Sequence, residues 1–460
     1  MIHTFTVNGI SIALDIFSGA VHVADPVSLE AIRLYEQHSR DEVIRKLLSR
    51  YESNPEVNPG TLGALMDQLD ELVRAGQLYS SGAYLNTGVP LPDAQGPIKA
   101  LCLHVAHVCN LACSYCFAGQ GKYQGQAALM SLGTARGALD FLVANSGARR
   151  HLEVDFFGGE PLLNWEVVKE TVVYGRALER EHNKAFRFTL TTNGMLLNEE
   201  IMEFCNQEMH NVVLSLDGRR EVHDHYRVDA KGKGSYETIV PKFQEFVKRR
   251  GDREYYIRGT YTRRNLDFLQ DILHMADLGF TRLSMEPVVT APDDLEALRA
   301  EDLPALFEQY ERLAQEMLNR KRQGRSFEFY HYILDLENGP CIHKRFSGCG
   351  SGTEYLAVTP QGELYPCHQF VGDSAYRIGT LKKGIVNHAL REKFAANTLY
   401  SRQECRNCWA QLYCAGGCAA NAVRATGSIS GVYAYGCELF KKRIECALML
   451  QACLQEEGLA

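Results

Sequence analysis

No stretch of this sequence offers the roughly 18 uninterrupted apolar residues of a membrane-spanning helix. The opening residues, MIHTFTVNGISIALD, lack the basic flank and long apolar run of a secretory signal. Positive charge is not in excess either. Lys and Arg number 49 against 56 Asp and Glu, a formal charge of −7, which argues against the basic face of a nucleic-acid binder. Internal repeats and low-complexity segments are missing as well. These absences predict a cytoplasmic protein with no membrane and no nucleic-acid partner. The 460 residues, 45% hydrophobic and 23% charged, suffice for a barrel-sized domain and one or two smaller ones.

Cysteine, by contrast, is plentiful, with 15 in the chain. Cytosolic thiols stay reduced, so clustering points to metal rather than to disulfides. Cys109, Cys113 and Cys116 form one group, and Cys341, Cys349, Cys367, Cys405, Cys408, Cys414, Cys418 and Cys437 a second. Cys102, Cys205, Cys446 and Cys453 sit in apolar runs such as KALCLHV and IECALMLQACL, where a free thiol is a small core residue.

Residues 1–86 open with two or three short strands, HTFTVNG, ISIALD and AVHVAD. Three helices follow, at PVSLEAIRLYEQ, RDEVIRKLLSRY and TLGALMDQLDELVRAG, and QLYSSGAYL is a candidate strand or wing. That is a winged-helix-like unit. Residues 87–97, rich in Pro and Gly, read as a linker. From 98 to 325, apolar strands alternate with longer helices: KALCLHVA, LEVDFF, FRFTLTT, NVVLSL, YYIRGTYT and RLSMEPVV. Such βα units predict an α/β fold, a parallel sheet curling into a partial (β/α)6 TIM-like barrel. The strands end in GGEP, TTNG, LDG and EP, and in such folds ligands bind at strand carboxyl ends. Residues 326–460 form a Cys-rich region with a C-terminal helix.

Cys109, Cys113 and Cys116 follow directly on the first barrel strand, in CNLACSYC. A zinc site needs a fourth ligand, for which His104 and His107 are the nearest candidates, but the spacing is tight for a tetrahedral cage. A 4Fe-4S cube on three thiolates fits the count better and leaves one iron free for a substrate or cofactor.

The Cys-x3-Cys-x-aromatic-Cys pattern resembles that of the radical S-adenosylmethionine (SAM) enzymes. The resemblance implies that the open iron chelates the amino and carboxylate groups of SAM, with Tyr115 near the adenine. FFGGEP resembles the glycine-rich SAM motif, with Gly158, Gly159 and Glu160 around the methionyl amine. TTNG (Thr191, Asn193) and LSLDG (Ser215, Asp217) resemble the ribose-binding positions, and Arg227 the arginine that pairs with a carboxylate.

The downstream run CRNCWAQLYCAGGC, with its outlying cysteines, resembles the SPASM domain, an auxiliary-cluster extension of certain radical SAM enzymes. Two zinc ribbons are the structural alternative. By resemblance Cys405, Cys408, Cys414 and Cys437 hold the second auxiliary cluster and Cys349, Cys367 and Cys418 the first, giving three 4Fe-4S clusters in all. Cys341 is either a fourth ligand to the first, a neighbour of an open iron, or a structural thiol; an open site suits the chemistry below. TPQGELYPC reads as a hairpin delivering Cys367.

Through NSGARRHLEVDFFGGEPLLNWEVV, LSLDGRREVHD, GKGSYETIVPKF and SGCGSGTEYLAVTP the sequence resembles, over nearly the whole chain, the maturases of SCIFF peptides, which install thioether crosslinks in ribosomally made Cys-rich precursors. The resemblance implies hydrogen abstraction by a 5′-deoxyadenosyl radical, a peptide thiolate held at the first auxiliary cluster, and an external one-electron reductant of the flavodoxin or ferredoxin type. Residues 1–86 then resemble a leader-peptide recognition domain. Alternatives are a SPASM maturase of another peptide or protein, such as a formylglycine-forming sulfatase maturase, and a zinc-binding winged-helix regulator.

Overall fold

The computed structural model describes residues 1–83, 93–123, 125–291, 293–336 and 348–459. The chain opens with an antiparallel meander, β1 (Ile2–Val7), β2 (Ile10–Asp15) and β3 (Val21–Ala24), followed by helices α1 (Pro26–Tyr35), α2 (Arg40–Arg50) and α3 (Pro59–Arg74). Local chemistry sets these helices. Asp25 caps α1 ahead of Pro26, and Asn58 accepts from Gly60 N and Thr61 N to start α3. Residues 77–83 form bends and a helical turn rather than the expected wing strand, and 84–85 lie outside the described residues, as does most of the expected linker.

The meander buries both faces. Ile12, Leu14 and Ile16 join the main core of the molecule, whereas Ala13 joins Leu29, Ile32, Val43, Leu47, Leu62, Met66 and Leu69 in a separate core under the helices. The ring of His3 stacks on Trp409 at 3.8 Å and 6°, and its Nε2 lies 3.0 Å from Glu445 Oε1 on the C-terminal helix Ala434–Glu456.

The main sheet carries the barrel strands in chain order: β4 (Ala100–Ala106), β5 (His151–Gly158), β6 (Ala185–Thr192), β7 (Met209–Ser215), β8 (Tyr255–Tyr261) and β9 (Arg282–Pro287), every neighbouring pair parallel. Between them lie α4 (Leu132–Asn145), α5 (Trp165–His182), α6 (Glu199–Glu208), α7 (Arg220–Tyr226), α8 (Tyr236–Arg250) and α9 (Phe268–Asp277), and α10 (Leu303–Arg322) follows β9. β4 is buried along its whole length, as a strand covered on both faces must be. In α5 the buried residues Val168, Thr171, Val172, Gly175 and Leu178 recur at the helical period and form the stripe laid on the sheet.

Two additions were not read from the sequence. A two-residue β10 (Glu328–Phe329) extends the sheet beyond β9. On the other side β11 (Tyr355–Val358) pairs parallel with β4, Ala357 opposite Cys102. β12 (Glu363–Tyr365), β13 (Gly379–Thr380) and β14 (Gly384–Ile385) then continue antiparallel. The hairpin expected at TPQGELYPC is the β11–β12 connection. Cys102, Cys205, Cys446 and Cys453 are all buried. Among the described residues no helix is long and apolar enough to cross a membrane.

Candidate active site at the strand ends

The loop after β4 is held from three sides. Ala112 N donates to Val228 O at 2.7 Å, Leu111 N to Cys109 Sγ at 3.4 Å, and Asn193 Nδ2 to Asn110 Oδ1 at 2.7 Å and Cys109 Sγ at 3.7 Å. The glycines after β5 run beneath it: Gly159 N donates to Ala106 O at 2.8 Å and Glu160 N to Val108 O at 2.9 Å. A Cβ on Gly159 would lie 2.1 Å from Val108 O, and one on Gly158, at φ +126°, 2.3 Å from Ala106 O. Only glycine permits this crossing.

Cys109, Cys113 and Cys116 line one wall of a cavity of about 410 Å³ with Tyr115, Gly158, Gly159, Glu160, Thr191, Asn193, Ser215 and Arg227. The chain therefore brings almost every candidate SAM-contact residue to one space. Burial pushes the Cys109 thiol to about 12 and the Cys113 thiol to about 11, so neither ionises near neutrality unless a cation takes the thiolate. Iron would supply that cation, and the donor set fits it. Among the described residues no three His, Cys, Asp or Glu side chains close on a single-ion site. His104 and His107, the zinc candidates, do not line the cavity. Their rings face each other, Nδ1 to Nε2 at 3.1 Å, under Tyr123, and burial keeps both below the usual histidine range.

Two expected roles read differently in the structure. Asp217 is fully buried and lies behind the cavity wall. It accepts Arg227 Nε and Nη2 at 2.8 and 3.0 Å, Tyr115 Oη at 2.6 Å and Thr260 N at 2.9 Å. Burial opposes its charge, but the Arg227 guanidinium outweighs burial and holds the carboxyl below its ordinary value. Asp217 and Arg227 are thus partners of each other and fix the Tyr115 ring, over which Arg227 also lies at 5.7 Å. Glu160 accepts from Leu162 N at 3.0 Å, Thr192 Oγ1 at 2.7 Å and Asn193 N at 2.8 Å, tying the end of β5 to that of β6. Burial raises its carboxyl to about 7.

The downstream cysteines gather in two groups. Cys367 feels the charges of Cys418 and Cys349, and Cys414 those of Cys437, Cys405 and Cys408. Cys341 lies outside the described residues. Cys418 lines the first cavity and also a second, of about 610 Å³, bordered by Cys405, Cys408, Cys414 and Cys437. Arg402 organises this region: its guanidinium donates to Asn397 Oδ1, Gly416 O, Ile429 O and Ser430 O. His368, next to Cys367, packs on Phe157 at 5.0 Å and Phe117 at 5.6 Å. Glu286 borders both cavities and faces His331 at 3.2 Å, Arg443 at 3.9 Å and Arg258 at 4.0 Å, which together hold it below the usual carboxylate range despite burial.

Apart from the cysteines, the sequence flagged only Glu286 among these residues, through the EP at the end of β9. Arg258 and Arg424, which line the first cavity, and Arg402 carry no spacing signal. His368 was detectable solely as the neighbour of Cys367.

Residues 103–274 match the model of the radical SAM superfamily, and residues 349–409 match that of SPASM, an iron-sulfur cluster-binding domain. The chain carries a radical SAM domain and a SPASM domain. It is 27% identical over 364 residues to a cysteine-type anaerobic sulfatase-maturating enzyme of Clostridium novyi, covering 73% of this chain and 91% of that protein. The fold is similar to that of anSMEcpe solved with AdoMet and the Kp18Cys peptide, with a TM-score of 0.64 at 20% identity over 78% of this chain and 99% of the other. It is also similar to that of Streptococcus suis SuiB bound to its precursor peptide SuiA, with a TM-score of 0.52 at 15% identity over 92% and 94% of the two chains. The radical SAM domain implies SAM and a 4Fe-4S cluster as cofactors, and the SPASM domain implies auxiliary clusters.

Proposed function

We propose that the protein is a radical SAM maturase that forms intramolecular thioether crosslinks in a ribosomally made, Cys-rich precursor peptide. The observation that carries this reading is the first cavity, whose lining includes Cys109, Cys113 and Cys116 together with Cys418. A peptide carbon near the first group and a peptide thiol near Cys418 would share one space, as sulfur-to-carbon coupling requires.

In this reading Cys109, Cys113 and Cys116 hold the SAM-binding 4Fe-4S cluster. Cys349, Cys367 and Cys418 hold the first auxiliary cluster, for which Cys341 is a fourth ligand, a neighbour of an open iron or only a structural thiol, and Cys405, Cys408, Cys414 and Cys437 the second. When bound, SAM and its cluster supply one-electron sulfonium cleavage and the resulting hydrogen abstraction. The chain's own residues position the partners. Gly159 and Glu160 fix the loop that carries Cys109, Asn193 restrains Cys109, and the Asp217–Arg227 pair orients Tyr115. Crosslinking removes the elements of H2 from the peptide: a hydrogen atom from the acceptor carbon, which would leave in 5′-deoxyadenosine, and a proton and an electron from the thiol, the proton going to solvent and the electron to the auxiliary clusters. A flavodoxin- or ferredoxin-type protein is the proposed electron donor for SAM cleavage.

The N-terminal sheet and its helices would bind the leader, which adds as a strand to a sheet edge. The fold shared with SuiB, solved with a precursor peptide, supports this. A second reading, oxidation of a sulfatase cysteine to formylglycine, is favoured by the similarity to the Clostridium novyi enzyme over 73% of the chain. The test of the core assignment is SAM cleavage. Replacing Cys109, Cys113 and Cys116 by Ala should abolish 5′-deoxyadenosine production, and persistence of that product would overturn the assignment.

A further inference from the structure

Three arginines line the first cavity: Arg227, Arg258 and Arg424. Their charges are not equally spent. Arg227 is paired bidentately with Asp217. Arg258 faces Glu286 at 4.0 Å. Arg424 has no carboxylate within ion-pair distance among the described residues. Its guanidinium instead donates to Gln369 Oε1 at 2.6 Å, and Gln369 Nε2 in turn lies 4.0 Å from Cys418 Sγ. Arg424 shares the lining of this cavity with Cys418.

This placement has a chemical consequence. A thiolate that leaves water for this cavity needs a cation beside it to offset the hydration it loses. A guanidinium already cancelled by a carboxylate cannot serve. Arg424 lines the cavity, is tethered through Gln369 towards the Cys418 sulfur, and has no carboxylate partner among the described residues.

We infer that Arg424 is a positioning residue that receives the thiolate of the substrate cysteine beside Cys418, with Gln369 fixing its reach. The inference rests on the peptide-thiolate reading above and names the residue responsible for it. Arg424 favours the ionised thiol over a neutral group of the same size, and so selects cysteine over serine at this point of the cavity.

The test uses the full-length, iron-loaded protein and a defined probe, N-acetyl-L-cysteine methylamide, against its serine counterpart. Binding is followed by the change in the electron paramagnetic resonance spectrum of the reduced protein, as a function of probe concentration and pH. The wild type is expected to respond to the thiol alone, with a half-maximal pH below the roughly 8.5 of a free thiol. R424Q should raise that pH and weaken the thiol about tenfold near neutrality. R424K should retain most of the response, and Gln369→Ala should weaken it, which keeps the test in force should R424Q lose iron. Equal responses of R424Q and wild type, or equal losses in iron-replete R424Q and R424K, overturn the role of Arg424. Absence of any thiol-specific response in the wild type overturns the peptide-thiolate reading itself.

Discussion

Asp217 was read from the sequence as a ribose-binding position, and the structure makes it the buried anchor of Arg227 and Tyr115. Replacing it by Asn leaves a buried guanidinium unpaired, expected to cost about 3–5 kcal/mol, read as a fall in the denaturant midpoint. The pH dependence follows from the direction of the shift. The folded carboxyl titrates below the ordinary 3.8, so its contribution is fully present above that value and is lost as pH falls through the lower folded one. Glu160 has the opposite sign. Its folded value is raised from 4.5 to about 7, so its proton stabilises the fold below 4.5 and that stability declines as pH rises towards 7. E160Q should remove this slope in SAM-free protein, measured as thermal midpoint against pH; an unchanged slope would contradict the assignment.

At the scale of elements, the loop after β4 depends on glycine beneath it. G159A sets a methyl against Val108 O, and the expected outcome is a protein with less iron at the Cys109 loop and a lower thermal midpoint. The strands and helices of the barrel were legible because each carries its own period and its own polar terminus: GGEP, TTNG and LDG mark where β5, β6 and β7 stop. β11 was not, because its pairing with β4 joins residues some 250 positions apart and nothing local announces such a partner. The ends of the two auxiliary groups were legible as cysteines, whereas Arg402, which binds their loops through backbone carbonyls, has no sequence signature. The same holds for His3. Its stack on Trp409, next to Cys408, joins the N-terminal sheet to the cysteine-rich region. H3A should lose about 0.5–1.5 kcal/mol from the stack and speed hydrogen exchange in β1, with little change in β6.

For the whole molecule, the sequence conveyed composition, cysteine grouping and the alternation that builds the barrel. It did not convey that Cys418 borders two cavities, one shared with Cys109, Cys113 and Cys116 and the other with Cys405, Cys408, Cys414 and Cys437. In the proposed reading that arrangement would set a substrate space between two iron-sulfur sites, and the N-terminal sheet packs into the same core as the barrel. If that sheet recognises a leader, removing the leader from the peptide should weaken binding; equal affinity for leader-bearing and leaderless peptide would rule the role out. The central claim, thioether formation, is tested most directly by mass spectrometry of a Cys-rich, leader-bearing peptide encoded beside the gene, incubated anaerobically with protein, SAM and reductant. The account predicts loss of the elements of H2 per crosslink, with the modified cysteines no longer open to alkylation. A peptide that keeps its mass and free thiols while SAM is consumed, or that gains a carbonyl in place of a thiol, would contradict it.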